Sequence, residues 1–171
     1  GTAPLPFGSP DVQGAPLDRN QWQWAAQLGL EHRINPVLAL FGHVARSFRV
    51  PNADERIGQA VAFNFPTPTP TNFDLRTQTS YEVEGGARLR LGALDLQSSV
   101  YDIEINDQVF YSPATSTNIN LDPTRHWGVE TSAALRLSDT VKLTGNVTYT
   151  RATFRDGIYA GNDIPLISKW T

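Results

Sequence analysis

The sequence predicts an all-β fold, an antiparallel up-and-down meander of about six long strands from a transmembrane β-barrel, open rather than closed. Three observations predict it. Apolar and polar residues alternate with a period of two, as in SYEVEGGARLRL, which places them on opposite faces of a sheet. Links between predicted strands are alternately short and long. Aromatic residues lie where the strands adjoin the long links, as the interfacial girdle of a barrel requires.

The first three predicted strands cover about residues 21–33, 37–47 and 80–91. Alternation and the content of β-branched and aromatic residues identify each of them. INP joins the first two as a short turn. The third has the most regular pattern, because every second residue from Tyr81 to Leu91 is apolar or glycine.

The last three predicted strands cover about residues 94–111, 125–137 and 140–154. A turn around Gly92 precedes the first of these, and SDT joins the other two. The fourth strand is less regular, since its apolar residues change parity from Val100 to Tyr101. Either a β-bulge or a strand that rises above the membrane would explain this change.

Two long links separate the three predicted hairpins, at about residues 48–79 and 112–124. We therefore expect residues 1–171 to form one partial β-barrel domain, an interior slice of a larger barrel. Six strands cannot close a barrel, for which eight is about the minimum. Short turns on one rim and long loops on the other correspond to the periplasmic and extracellular sides of an outer-membrane protein.

The apolar face has the height that a membrane requires. From Tyr81 to Leu91 it runs ten residues, which covers roughly 23 Å at about 3.3 Å per residue and a tilt near 45°. The apolar band of such barrels is about 25 Å tall. The residues predicted to contact membrane lipid are Val83, Ala87, Leu89, Val129, Ala133 and Leu135.

The opposite face carries Glu82, Glu84, Arg88 and Arg90. We interpret these charges as a cross-strand ionic lattice that stiffens the wall, and an anion-tolerant lumen is the alternative. Arginine outnumbers lysine twelve to two in the chain, and arginine is suited to bidentate contact with carboxylate or phosphate. The candidate ligand-binding residues, on the inward face or the first long loop, are Arg49, Arg56, Arg88 and Arg90.

Other chemistry is sparsely represented. The net charge of -3 argues against nucleic acid, and the absence of cysteine excludes disulfides and thiolate metal sites. No Ser-His-Asp set or phosphate-binding glycine loop is evident, so we predict no enzyme, no cofactor and no metal. Asn52, Asp54 and Glu55 could hold calcium, but a lone acidic triplet is interpreted as solvated.

Five segments resemble, in family order, the TonB-dependent outer-membrane receptors that import scarce nutrients. They are FGHVARSFRVPNADER, NFDLRTQTSYEVEGGAR, VYDIEINDQVFY, NLDPTRHWGVETSAALRLSDTVKLTGNVTYTRATF and GNDIPLIS. Two of these segments contain family motifs, an Arg-x-Pro turn at residues 49–51 and an Asn-x-x-Leu motif at residues 72–75. Haem importers of this family place a histidine between these two motifs. Here no histidine lies between Pro51 and Asn72, which disfavours haem, and His43 and His126 are interpreted as ordinary strand or rim residues.

The resemblance implies part of a ligand-gated receptor in the bacterial outer membrane that imports a nutrient such as a ferric siderophore. Its implied partners are membrane lipid, a small iron chelate and TonB, which would contact an N-terminal segment that this sequence does not show. Two alternatives remain open. One is a soluble secreted β-domain that binds a glycan or a protein, and the other is the wall of a passive porin.

Overall fold

The computed structural model of the chain describes residues 22–57, 74–115 and 117–171. Its elements are β1 (Ala26–Arg33), β2 (Leu38–Arg49), α1 (Ala53–Ile57), β3 (Gln78–Leu91), β4 (Leu94–Asn106), β5 (Val109–Ser112), β6 (Thr117–Asn120), β7 (Thr124–Arg136) and β8 (Lys142–Phe154). Six of the strands form one antiparallel sheet in the order β1-β2-β3-β4-β7-β8, and β5 and β6 pair separately. The predicted all-β meander is therefore confirmed.

The sheet is open, with β1 and β8 at its edges. The final segment begins to cover the β8 edge, because Thr148 exchanges backbone hydrogen bonds of 2.9 and 3.1 Å with Thr171. Thr150 N–H also donates to the carbonyl of Lys169 at 3.0 Å. The chain thus continues the same antiparallel pattern beyond β8.

Strand β4 pairs without interruption on both sides. Its register runs from Leu91↔Leu94 to Thr79↔Asn106 against β3, with the same offset throughout. The suggested bulge is therefore wrong, and the change of parity is real. Since side chains alternate along a regular strand, Val100 shares a face with Asp102 and Glu104, while Ile103 turns to the other side.

Several predicted boundaries differ from the structure. The first strand starts at Ala26, and Gln21 lies outside the described residues. The fourth ends at Asn106 rather than residue 111, because Asp107 has a left-handed backbone conformation, φ 56°. The second long link consequently starts at Asp107 and contains the β5–β6 hairpin. The first long link contains α1, a helix that the sequence did not predict.

Cross-strand partners lie on the same face of a sheet, so the register assigns every strand residue to one of two faces. All six predicted lipid-contacting residues share one face, together with Leu143 and Val147. We call this the outer face. Its large side chains are exposed, for example Val83 at 59% and Val147 at 47%. The opposite, inner face carries the charged residues of β3.

A cluster of buried residues lies at the end of the sheet where the long links begin. Leu75 and Thr124 are fully buried, and Thr77 and Thr117 are nearly so. They come from residues 74–77, β6 and the start of β7. We call α1, residues 74–77 and the β5–β6 hairpin the rim assembly. No helix in the described ranges is long and apolar enough to cross a membrane.

Candidate functional site

Near the short turns, the inner face is an ionic lattice. Arg88 donates to Glu31 at 2.9 Å and to Gln97 at 3.1 Å, and its guanidinium carbon lies 5.7 Å from the centre of the Phe41 ring. Arg90 pairs with Asp95 at 3.2 Å. The lattice therefore forms as interpreted, but the partners of these arginines come from β1 and β4 rather than from the glutamates of β3.

Those glutamates contact a histidine instead. His43 Nε2 lies 3.3 Å from Glu82 and Nδ1 lies 3.1 Å from Glu84. Each of the three residues offers one ligand atom, and these three atoms lie within 4.8 Å of one another. One imidazole nitrogen and two carboxylate oxygens form a donor set of the kind that binds a divalent transition ion. The same contacts are ion pairs when the imidazole is protonated.

Sequence spacing gave no sign of this cluster. His43 is on β2 and the glutamates are on β3, so only the register that opposes His43 to Glu84 brings them together. Beside them the inner face is hollow, with a volume of about 240 Å³. The charged and titratable residues lining that hollow are Glu82, Glu84, Tyr101, His126 and Glu130.

Two aromatic rings lie across glycines on the inner face. Tyr101 crosses Gly128 and its hydroxyl meets that of Thr150 at 2.6 Å. A Cβ atom at Gly128 would lie 2.6 Å from the Tyr101 oxygen and would also meet the backbone carbonyl of Tyr149. The Phe41 ring fills the space beside Gly86 in the same way, because a Cβ atom there would lie 2.5 Å from its Cζ atom. These glycines leave the space beside the sheet that the two rings occupy.

At the rim, Arg49 is held by α1. It donates to both carboxylate oxygens of Glu55, at 2.7 and 2.9 Å. The Glu55 carboxylate also accepts from Asn52 N–H at 2.9 Å, and Asn52 Oδ1 accepts from Glu55 N–H at 2.8 Å. This reciprocal pair is a capping box, so two of the three residues weighed as a calcium site serve as the helix cap.

The same contacts change the acidity of Glu55. Burial by itself would raise the pKa of this carboxyl, but the hydrogen bonds from Arg49 and from the Asn52 backbone outweigh burial and hold its pKa below the usual range. The carboxylate is therefore ionised at neutral pH and stays paired with Arg49.

Two asparagines tie the long links to each other. Asn118 Nδ2 donates to the carbonyl of Glu55 at 3.0 Å. Asn120 accepts from Arg76 N–H at 2.8 Å and donates to the carbonyls of Arg76 and Asp107 at 3.1 and 2.7 Å. The first link therefore docks on the β5–β6 hairpin through backbone groups that would otherwise be unpaired.

The four candidate arginines fall into two pairs. Arg49 and Arg56 lie at the rim, whereas Arg88 and Arg90 lie near the short turns. Arg49 is opposite Gln78 in the register, so about ten residues of β3, or roughly 33 Å, separate the pairs. One small ligand cannot contact both pairs at once. Their role in ligand binding remains a prediction.

Comparison with known proteins adds the decisive observation. The family model described as "TonB dependent receptor-like, beta-barrel" matches residues 6–171. The chain belongs to the TonB-dependent receptor family. Its resemblance to that family, first noted in five sequence segments, is therefore confirmed over nearly the whole chain.

Relatives of several kinds share this fold. The chain is 25% identical over 88 residues to the TonB-dependent heme receptor A of Haemophilus ducreyi, covering 52% of this chain and 12% of that protein. The siderophore receptor PirA of Pseudomonas aeruginosa matches with a TM-score of 0.60 and 17% identity, and the match covers 76% of this chain and 25% of the PirA chain. The ferric yersiniabactin uptake receptor FyuA of Yersinia pestis matches with a TM-score of 0.59 and 19% identity. That match covers 84% of this chain and 21% of the FyuA chain.

The chain corresponds to only a small part of each of these proteins. It spans about an eighth of the heme receptor and a quarter or less of the two solved receptors. At such identities the two structural matches show the fold alone. The family is one of receptors and transporters rather than enzymes.

Proposed function

We propose that this chain forms part of the barrel wall of a TonB-dependent receptor in the bacterial outer membrane, and that the full-length receptor imports an iron chelate of the ferric siderophore class. The observation that carries the proposal is the two-faced sheet. One face is apolar and exposed from the short turns to the aromatic girdle, and the other bears paired charges. A wall between lipid and a watery lumen needs this arrangement.

The outer face supports lipid as its partner. Among the described residues, nothing packs on the exposed valines and leucines of this face, which include Val83, Leu143 and Val147. Trp127 and Tyr149 meet edge to face, with ring centres 5.8 Å apart, near its long-loop end. Aromatic residues of this kind are enriched at the membrane interface. A soluble β-domain would have to cover the same face with protein.

Family membership favours active import over a passive pore. Import would be energised by TonB through a segment of the full-length receptor, and the ligand would enter from the side of the long loops. The rim assembly is built for that side, because asparagine side chains and a capped helix hold its links in place.

The positions of the histidines support a siderophore over haem. The chain has three, His32, His43 and His126. His32 belongs to the outer face, His43 is held by two glutamates on the inner face, and His126 is half-buried beside Gln108. None of the three belongs to the rim assembly. Haem import is the second candidate, favoured by the likeness to a curated heme receptor.

Uptake by cells tests the proposal. Cells whose only iron receptor is the full-length protein should accumulate radioactive iron from a ferric siderophore, and should lose that uptake when TonB is deleted or a protonophore is added. Uptake that survives the loss of TonB would indicate a passive pore. Growth on haem but on no siderophore would favour the second candidate.

Single cysteines test the placement of the wall. Cysteine at Ala133, on the outer face, should react with a lipid-restricted probe in intact membranes, and cysteine at Ser132, its neighbour on the inner face, should react with a water-restricted probe. If the cysteine at position 133 reacts with neither probe, the apolar face is packed on protein and the soluble alternative stands.

A further inference from the structure

Arg46 is an arginine on the outer face, at the level of the aromatic girdle. It lies on β2, opposite Tyr81 in the register. Its guanidinium carbon is 4.2 Å from the centre of the Trp24 ring and 5.7 Å from that of Tyr81. Nε donates to the Tyr81 hydroxyl at 3.3 Å, and Nη1 donates to the carbonyl of Trp24. The two rings and two hydrogen bonds fix the orientation of the guanidinium.

Other cations at this end of the outer face have carboxylate partners. Arg125 pairs with Asp102, Arg155 with Glu104 at 2.6 Å, and Arg151 with Asp163 at 3.3 Å. Hydrogen bonds from Lys169 and then from Arg151 hold the pKa of Asp163 below its usual range, so this partner is ionised.

Arg46 differs from these cations. Within the described ranges, no carboxylate lies at ion-pair distance from it; its contacts there are the rings and oxygens of Trp24 and Tyr81. A guanidinium has five N–H donors, and two are used by these oxygens. Three donors remain in a planar fork, which is the geometry that binds phosphate bidentately.

We propose that Arg46, seated on Trp24 and Tyr81, binds the phosphate of a lipid headgroup in the leaflet on the long-loop side. The inference rests on the proposed function, because the outer face must meet lipid. Aromatic girdles lie at the level of the headgroups, so the lipid supplies an anion where Arg46 has no carboxylate partner among the described residues. A cation near an anionic membrane surface is stabilised by this attraction.

The affinity of the purified full-length receptor for single lipids tests the inference. Native mass spectrometry in neutral detergent should show that Arg46→Gln weakens the binding of dioleoyl-phosphatidylglycerol about fivefold, as expected for one basic residue at an anionic surface. Arg46→Lys should retain part of the affinity, since it keeps the charge and loses the fork. Arg151→Gln is the matched control and should leave affinity unchanged, because Arg151 already pairs with Asp163.

Three results would overturn the inference. They are equal affinity of Arg46→Gln and the unchanged receptor, equal losses in Arg46→Gln and Arg151→Gln, and displacement of the lipid by inorganic phosphate at a similar concentration, which would indicate a site for free phosphate. The proposed function is tested separately. Arg46→Gln should still import iron, and the cysteine at Ala133 should still react from the lipid phase whichever way the lipid measurement falls.

Discussion

The wall and the rim assembly are stabilised in different ways. The six-stranded wall buries few of its large apolar side chains, and those of its outer face are exposed. The rim assembly contains the fully buried Leu75, lies beside the fully buried Thr124 at the start of β7, and joins two distant parts of the chain through Asn118 and Asn120. The wall therefore depends on the solvent around it, whereas the rim assembly depends on its own packing and hydrogen bonds. Substitutions can test this contrast directly.

The largest effect is expected on the outer face of the wall. Ala133→Arg in the full-length receptor should lower the free energy of unfolding by about 2–4 kcal/mol, because it places a charge in lipid near the membrane midplane. Urea unfolding in lipid vesicles measures it. Ser132→Arg is the matched control, since its side chain points to the watery lumen, and it should cost far less. Equal losses would show that both faces meet the same environment.

The rim assembly should respond to the loss of its core. Leu75→Ala should lower the local stability of the assembly by about 2 kcal/mol, at the low end for a buried leucine because rim segments can partly collapse into the space. Faster hydrogen exchange of the Arg76 amide, which donates to Asn120, measures the effect. Leu166→Ala is the control, because Leu166 is 89% exposed. Unchanged exchange in Leu75→Ala would contradict a packed rim.

Two glycines on neighbouring strands of the wall should behave differently. Gly128→Ala should cost about 1–2 kcal/mol of unfolding free energy, because the new methyl group meets Tyr101 and the backbone of Tyr149. Gly145→Ala should change it by less than about 0.5 kcal/mol, since no atom lies within 4 Å of its added Cβ. Equal unfolding midpoints for the two variants would mean that Tyr101 does not lie over Gly128.

The smallest effect is expected from protonation of Glu55 at low pH. Because the pKa of Glu55 is held below its ordinary value of 4.5, its pairing with Arg49 stabilises α1 above about that pH and is lost as pH falls through the lowered value. Hydrogen exchange of the Arg56 amide, which donates to the Asn52 carbonyl, should therefore accelerate in that window beyond its intrinsic rate. Glu55→Gln should cost about 0.5 kcal/mol at neutral pH and remove this added acid sensitivity.

The sequence determined the wall because the alternation of apolar and polar residues along each strand shows which face meets lipid and which meets water. Alternation along one strand is a local property, so the faces of Val83 and Glu84 could be read without knowing any strand partner. The short turns then required neighbours in sequence to pair. Even the parity change in β4 was visible, although the choice between a bulge and a strand rising above the membrane needed the register.

Only the tertiary structure decided which side chains meet across strands and across the long links. His43 meets Glu82 and Glu84, Tyr101 reaches over Gly128 to Thr150, and Asn120 holds the backbone of Arg76. The last two involve partners 49 and 44 residues apart. No spacing in the chain signals such meetings, because the register and the docking of the links set the distances. The periodicity of one strand records the solvent on each side of it, and it carries no information about which residue lies opposite.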